Sequence, residues 1–322
     1  MPVRDGQKNM KHWAPLKKGD LVDLIAPGFA CREEELRAAV QFLESWGLRV
    51  RVPKNIFSSR GLCSHRDDVR WSHLQKALLA TDSQAVWCLR GGYGSIRLIP
   101  NLTQLKAPKS RRAKLFIGLS DITSLHVFLN QSWRWPTIHG PLLDRLGMGK
   151  AKPKYVRELK RLVFGETPTI EFSNLKALND FAKKNKIIRA PVSGGNLITL
   201  QSSLKTKAEW DARGKILFFE DIGERGYRVD RVLEQFYQMG VFASASAVIF
   251  GDFTGGNESD GRNHIAMVLR EFAKKISIPA LTGLPSGHGL IQRPLPLATP
   301  SELFLKDGRG KLISDTGVEP IL

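Results

Sequence analysis

The chain has 322 residues, of which 42% are hydrophobic and 25% charged, a composition typical of a folded globular protein long enough for two domains. No apolar run reaches the length of a membrane-spanning helix, and the charged N-terminus lacks the apolar stretch of a secretory signal. These features argue against a membrane protein and predict a cytoplasmic one. The three cysteines, Cys31, Cys63 and Cys88, fit no zinc or disulfide spacing, as expected in a reducing compartment.

The formal net charge is +18, which raises the question of a nucleic-acid partner. The basic residues are scattered along the chain, and no helix-turn-helix, zinc-finger or RNA-binding motif accompanies them. The charge therefore favours a solvated basic surface without specific nucleic-acid binding. Attraction of a small anionic substrate stays open as a second interpretation.

Strands and helices alternate up to about residue 140, which is typical of a parallel α/β sheet covered on both faces. The sequence predicts strands at Leu21–Ala26, Leu48–Val52, Ala85–Leu89 and Thr137–His139, and helices at Glu33–Trp46 and Asp67–Ala80. Such sheets bind ligands at the carboxyl ends of their strands. The turn Arg90–Gly94, RGGYG, lies at one of these ends.

The segment Lys114–Thr123, KLFIGLSDIT, is the most informative stretch of the chain. It predicts a buried strand, a sharp turn that carries Ser120, and a helix that starts near Asp121. A serine on such a turn is exposed beside the free N–H groups of the following helix, where an acyl-transfer nucleophile needs them. The glycines of RGGYG could bring further N–H groups to an oxyanion, although a tight connection between strand and helix is the plainer interpretation.

The rest of the chain predicts a linker and a second domain. The expected division is a nucleophile domain at 17–148, a Lys-rich linker at 149–186 and a C-terminal α/β domain at 187–322. Glu220 ends a buried strand of the second domain, and Asp221 follows it. Of the seven histidines, His288 lies between two glycines in a turn, whereas His139 could support a site from outside.

Five segments, in this order and spacing, resemble the LD-carboxypeptidase family of serine peptidases, which includes muramoyl-tetrapeptide carboxypeptidases and microcin C self-immunity peptidases. The segments are LIAPG, RGGYG, IGLSDIT, FFEDIGERGYRVDRVL and GLPSGHG followed by LPL. The resemblance implies a flavodoxin-like parallel-sheet N-terminal domain, a smaller C-terminal α/β domain, and an active site between them. It also implies a homodimer and a reaction that needs no metal or organic cofactor.

The resemblance further implies a triad of Ser120, Glu220 and His288, with an oxyanion hole formed by the backbone N–H groups of Asp121 and of Gly91 or Gly92. The candidate substrate contacts near the matched motifs are Arg90, Tyr93 and Arg228, although both arginines could equally serve in structural ion pairs. The chain departs from the family pattern at Gln292, near a position that is often Asn, and at Ala298, which is often Gly.

The expected function is hydrolysis of an L,D-amide bond that releases terminal D-Ala from a murein tetrapeptide during cell-wall recycling. Cleavage of a peptidyl or aminoacyl nucleotide, as in the self-immunity peptidases, is the alternative within the family. A basic nucleic-acid-binding protein without catalysis is the alternative of another class.

Overall fold

A computed structural model describes residues 10–58 and 61–319. Its strands are β1 Leu21–Ile25, β2 Arg49–Arg51, β3 Ala85–Cys88, β4 Leu115–Gly118, β5 Thr137–His139, β6 Thr169–Ala177, β7 Lys186–Arg189, β8 Val192–Asn196, β9 Ile216–Ile222, β10 Ala247–Thr254, β11 Ala280–Thr282, β12 Leu295–Leu297, β13 Ser301–Lys306 and β14 Arg309–Asp315. Its α-helices are α1 Glu33–Glu44, α2 Asp67–Leu79, α3 Ile99–Leu102, α4 Thr123–Ser132, α5 Leu143–Gly147, α6 Pro153–Val163, α7 Leu197–Ser203, α8 Gly226–Gln238 and α9 Ile265–Lys275.

The N-terminal sheet has six strands in the order β2-β1-β3-β4-β5-β12. The first five strands are parallel, and their 2-1-3-4-5 order is that of flavodoxin-like folds. Strands β3 and β4 are buried along their whole length, which explains their continuous apolar sequences, AVWC and LFIG. The α/β fold predicted from the sequence is confirmed.

The second sheet has eight strands in the order β7-β13-β14-β6-β11-β10-β9-β8. The pairs β8–β9, β9–β10 and β10–β11 are parallel, and the remaining pairs are antiparallel. Strand β9, ILFFEDI, is buried up to its sixth residue and carries Glu220 near its carboxyl end. A cluster of aromatic side chains around Phe219 and Phe236 anchors it beneath α8.

The chain crosses between the two sheets more than once. Strand β12 follows the loop of His288 and pairs antiparallel with β5 at the edge of the N-terminal sheet. Strand β6 lies within the segment predicted to be a linker, yet it pairs with both β11 and β14 in the second sheet. The division into domains stays a prediction, and residues 169–177 build part of the sheet that carries Glu220.

One extended hydrophobic core includes residues of both sheets. Within residues 10–58 and 61–319 no helix combines the length and hydrophobicity needed to cross a membrane.

Ala298 stands where the family pattern often has glycine, and its φ of 60° lies in the left-handed region that favours glycine. The alanine therefore carries backbone strain that a glycine would not. We expect Ala298→Gly to raise the free energy of unfolding by about 1 kcal/mol, since the strain of an L-residue disappears. Denaturant unfolding measures the change. The helical substitution Ala38→Gly is the control and should lower stability by about 1 kcal/mol. A loss of stability in Ala298→Gly would contradict the strain argument.

Candidate active site

Ser120 lies on a strained turn between a buried strand and a helix. Leu119, just after β4, is extended, and Ser120 then takes a φ of 67° before the helical turn that leads into α4. A non-glycine residue in this region costs free energy and is characteristic of functional sites. The turn therefore presents Ser120 at the carboxyl end of the parallel sheet, where a nucleophile would be placed.

Asp121 fastens the glycine-rich turn to the serine turn. Its buried carboxylate accepts hydrogen bonds from the backbone N–H of Gly94 at 3.2 Å and of Ser95 at 2.8 Å. The buried Arg70 donates to the carbonyl oxygen of Gly94 at 3.0 Å from the other side. Both loops at the carboxyl ends of β3 and β4 are thus held in a fixed relation.

Gly91 touches Ser120 so closely that no side chain would fit. A Cβ atom at position 91 would lie 2.9 Å from the Cβ atom of Ser120. Among the backbone hydrogen bonds of the described residues, the N–H groups of Gly91 and Gly92 donate none. Free N–H groups beside a serine are what an oxyanion hole requires.

Glu220 and His288 form the central contact of the site. The Nδ1 atom of His288 lies 2.6 Å from Oε2 of Glu220, and the Glu220 side chain is completely buried. Burial acts to raise the pKa of Glu220, but contacts with His288 and His139 outweigh it and lower that pKa to about 2. Burial acts to lower the pKa of His288, and the Glu220 carboxylate reverses this, so that it rises above 6.5.

His139 faces the second oxygen of Glu220. Its Nε2 atom lies 3.7 Å from Oε1 of Glu220, and within the described chain neither atom has a hydrogen-bond partner. The Nδ1 atom of the same ring lies 3.3 Å from Oγ of Ser286. Because His139 is wholly buried and pairs in register with Gly118, the Glu220 carboxylate lies next to the strand that leads to Ser120. The sequence suggested a supporting place for His139 but not its partner.

The two halves of the chain are joined directly at this point. Thr123, at the start of α4, accepts a hydrogen bond through Oγ1 from the backbone N–H of Asn196 at 3.0 Å. Asn196 pairs in register with Glu220 on the neighbouring strand. Ser120 thus lies on one side of the junction, and Glu220 with His288 on the other. Among the described residues, the Ser120 hydroxyl makes no hydrogen bond.

Two further carboxylates lie beside Glu220. Asp221 accepts hydrogen bonds from the Asn196 amide at 2.9 Å and the Ile198 N–H at 3.1 Å, so it faces β8 and α7 rather than His288. Burial, followed by the charge of Glu220, raises the pKa of Asp221 to about 7 and that of Asp252 to about 6. The pKa of Glu220 is lowered whereas those of its two neighbours are raised, so Glu220 is the most acidic of the three carboxyl groups.

The arginines expected near substrate have partners. Arg90 lies 3.3 Å from Asp144 and 3.8 Å from Glu35, which is the structural role left open from the sequence. Arg228 lies 3.6 Å from Glu224, one helical turn earlier, and is more than half exposed. Tyr93, on the glycine-rich turn, is 40% exposed. These three contacts to substrate stay predictions.

No group of three or more His, Cys, Asp or Glu side chains in the described ranges could hold a metal ion. Gln292, the other departure, is buried, and its side-chain nitrogen has no hydrogen-bond partner among those residues.

Comparisons with known proteins identify the family. The family model for the LD-carboxypeptidase N-terminal domain matches residues 22–140, and that for the LD-carboxypeptidase C-terminal domain matches residues 189–303. The chain therefore belongs to the LD-carboxypeptidase family, which places it among the serine-type carboxypeptidases.

Individual relatives agree with this assignment. A Rickettsia prowazekii protein is 37% identical over 273 residues, 84% of each chain. The murein tetrapeptide carboxypeptidase of Pseudomonas aeruginosa is 30% identical over 295 residues, 88% of this chain and 92% of that protein. The crystal structure of muramoyltetrapeptide carboxypeptidase from Oxalobacter formigenes superposes with a TM-score of 0.79 and 26% identity, covering 92% of this chain and 98% of the other.

The raised pKa of His288 predicts a pH profile. A general base must be neutral, so kcat/KM should rise with pH through a pKa above 6.5. Glu220→Gln removes the negative charge that raises the pKa of His288. The acid limb should therefore move to lower pH, while kcat falls about 1,000-fold or more because the imidazole loses its orientation. Steady-state kinetics from pH 5 to 9 measure both effects. If Asp221→Asn produced the shift and Glu220→Gln did not, the carboxylate would be wrongly assigned.

Proposed function

We propose that this protein is a serine carboxypeptidase that hydrolyses the amide bond between an L-configured centre and a terminal D-amino acid. Its proposed substrate is a murein tetrapeptide, which loses its terminal D-Ala in the cytoplasm during cell-wall recycling, with the enzyme acting as a homodimer. The observation that carries the catalytic part is the 2.6 Å contact between His288 and the buried Glu220, set across the domain junction from the strained Ser120. The substrate is supported by the name of the Pseudomonas aeruginosa relative.

In the first half-reaction, Ser120 Oγ attacks the scissile carbonyl carbon while Nε2 of His288 takes the hydroxyl proton. The negative charge that develops on the carbonyl oxygen is stabilised by the N–H groups of Asp121 and of Gly91 or Gly92. The C–N bond then breaks, and His288 returns its proton to the amine of the leaving D-Ala. The rest of the peptide remains bound to Ser120 as an ester.

In the second half-reaction, a water molecule gives a proton to His288 and attacks the ester carbonyl. The ester bond breaks, and the proton passes from His288 to Ser120 Oγ. Glu220 stays ionised throughout and stabilises the imidazolium that forms in each half. Its low pKa of about 2 suits this role, because the carboxylate does not take up the proton itself.

Among the described residues the Ser120 hydroxyl makes no hydrogen bond, so this mechanism requires its contact with His288 to form when the substrate binds. Hydrogen bonds between nucleophile and base are often long before substrate binds and shorten in the complex. A substrate carbonyl placed against Gly91 would lie beside Ser120, since the two residues are in direct contact.

Removal of the nucleophile gives the simplest test. We expect Ser120→Ala to lower kcat for release of D-Ala by about 10⁴- to 10⁶-fold, because no covalent intermediate can form. Release of D-Ala from a murein tetrapeptide is followed by mass spectrometry, and circular dichroism controls for folding. A tenth of the wild-type activity in a folded variant would exclude Ser120 as nucleophile.

Stereochemistry tests the substrate assignment separately. A tetrapeptide ending in D-Ala should be cleaved at least about 100-fold faster than one ending in L-Ala, since the inverted centre moves the carboxylate away from its partner. The values of kcat/KM for the two peptides decide this. Equal rates would refute the L,D-specificity while leaving the serine mechanism intact. Cleavage of a peptidyl nucleotide in place of either peptide would favour the alternative substrate.

A further inference from the structure

A carboxypeptidase must recognise the free carboxylate at the end of its substrate, a requirement that rests on the proposed function. Bringing a carboxylate into a partly dry cleft is unfavourable unless a cation or several N–H groups meet it. Arginine suits this role best, because its planar guanidinium can donate two parallel hydrogen bonds to the two carboxylate oxygens. An arginine that serves in this way must lie near Ser120 and His288 and must be free of other partners.

The arginines of the matched motifs are already engaged. Arg90 is held between Asp144 and Glu35, at 3.3 and 3.8 Å. Drawing it toward a substrate would remove the cation 3.3 Å from Asp144 and leave Glu35 with Arg32 alone, and both acidic side chains are less than 10% exposed. Arg228 is bound to Glu224 and to its neighbour Tyr227, on the outer part of α8. Neither is free at the site.

Arg145 differs from both. Within residues 10–58 and 61–319, no carboxylate lies within 4.0 Å of its guanidinium, and the side chain makes no hydrogen bond. The residue is only partly exposed, so its positive charge is partly desolvated, and the Asp144 carboxylate interacts with it only from beyond ion-pair distance. A cation in this situation gains more from an incoming anion than one that already has a partner.

The position of α5 puts Arg145 between the loops that carry the site. The N–H of Asp144 donates to the carbonyl of Leu89 at 3.0 Å, which fixes the start of α5 at the end of β3, next to the glycine-rich turn. On its other side, Leu146 lines a small cavity together with Leu290 and Gln292, just after His288.

The electrostatics agree with this placement. The charge of Arg145 is among those that act to lower the pKa of His288, after burial and against the Glu220 carboxylate, which prevails. Arg145 is thus electrostatically coupled to the imidazole.

We propose that Arg145 is the residue that binds the terminal carboxylate of the substrate and so makes the enzyme a carboxypeptidase rather than an endopeptidase. The short α5 helix presents it beside the leaving group, where the D-Ala carboxylate would lie when its amide reaches Ser120. The two halves of the chain then contribute different groups. The second half provides Glu220 and His288, and the N-terminal half provides the nucleophile Ser120 and the carboxylate-binding Arg145.

The test compares two substrates in three variants. The substrates are a murein tetrapeptide ending in D-Ala and the same peptide ending in D-alaninamide, which has the scissile bond but no terminal charge. The variants are Arg145→Met, Arg145→Lys and the control Arg37→Met. Arg37 is exposed on α1, the helix packed against α5, so its replacement removes the same charge from the same region.

The readout is the ratio of two kcat/KM values, that for the peptide ending in D-Ala (the acid) divided by that for the peptide ending in D-alaninamide (the amide). In the wild type the acid should be preferred by about 10- to 100-fold, the size of one charged hydrogen-bonded pair. Arg145→Met should bring the ratio close to 1 by slowing the acid and leaving the amide within about 3-fold of its wild-type rate. The ratio in Arg145→Lys should lie between those of the wild type and Arg145→Met, because lysine keeps the positive charge but cannot donate two parallel hydrogen bonds. Arg37→Met should keep the wild-type ratio.

In a variant that circular dichroism shows to be folded, an equal loss of activity toward both substrates in Arg145→Met, or an unchanged ratio in both Arg145 variants, would overturn the proposal. Circular dichroism measures the folding of each variant separately from the two rates. If Arg145→Met does not fold, the ratio in Arg145→Lys decides. A wild type that cleaves neither peptide refutes the proposed function, whereas a wild type that cleaves both with an unchanged ratio in the variants refutes only the role of Arg145.

Discussion

The proposed chemistry of this protein depends on one buried charge. Glu220 is wholly enclosed where the two sheets meet, and it stays ionised because His288 and His139 face its two oxygens at 2.6 and 3.7 Å. An unpaired carboxylate in that place would cost several kcal/mol, so each of these partners is needed by the fold as well as by the site. The contact joins residues from three different segments of the chain: the end of β5, the end of β9 and the turn after β11.

The architecture around Glu220 brings strand ends to the same place. Parallel sheets expose their loops at the carboxyl edge, and here the carboxyl ends of β5 and β9 meet, since His139 lies 3.7 Å from Glu220 across the domain junction. The hydrogen bond from Asn196 to Thr123 links α4 to the strand beside β9, and β12 carries the chain from the His288 loop back to the N-terminal sheet. Movement of one sheet relative to the other would therefore separate Ser120 from the Glu220–His288 pair. In the proposed mechanism, the rigidity of this junction provides the preorganisation that an oxyanion hole requires.

Much of this arrangement could be predicted from the sequence, because short-range patterns decide it. The buried strand and turn around Ser120 and the glycine-rich turn after β3 are local features, and the resemblance to the family connected them with Glu220 and His288. Contacts between residues far apart in the chain could not be predicted from the sequence. Nothing in the spacing of His139 reveals that its ring faces Glu220, and β6 was hidden in a Lys-rich stretch whose alternating burial is not evident from its composition. The partners of Arg90 and the lack of one for Arg145 likewise depend on how α1 and α5 pack. The left-handed backbone at Ala298 left only an indirect sign, the glycine often found there in relatives.

The most direct test of the central claim uses an organophosphonate that reacts covalently with the nucleophilic serine of serine hydrolases. The residue that it modifies and the rate of the modification are both measured. If Glu220 and His288 activate Ser120, one equivalent of phosphonate attaches to Ser120, as found by peptide mapping. The rate of attachment should rise with pH through the raised pKa of His288 and fall by orders of magnitude in Glu220→Gln. Labelling at another residue, or labelling of Ser120 at a rate that does not respond to loss of Glu220, would contradict the claim that this buried carboxylate and His288 activate the serine.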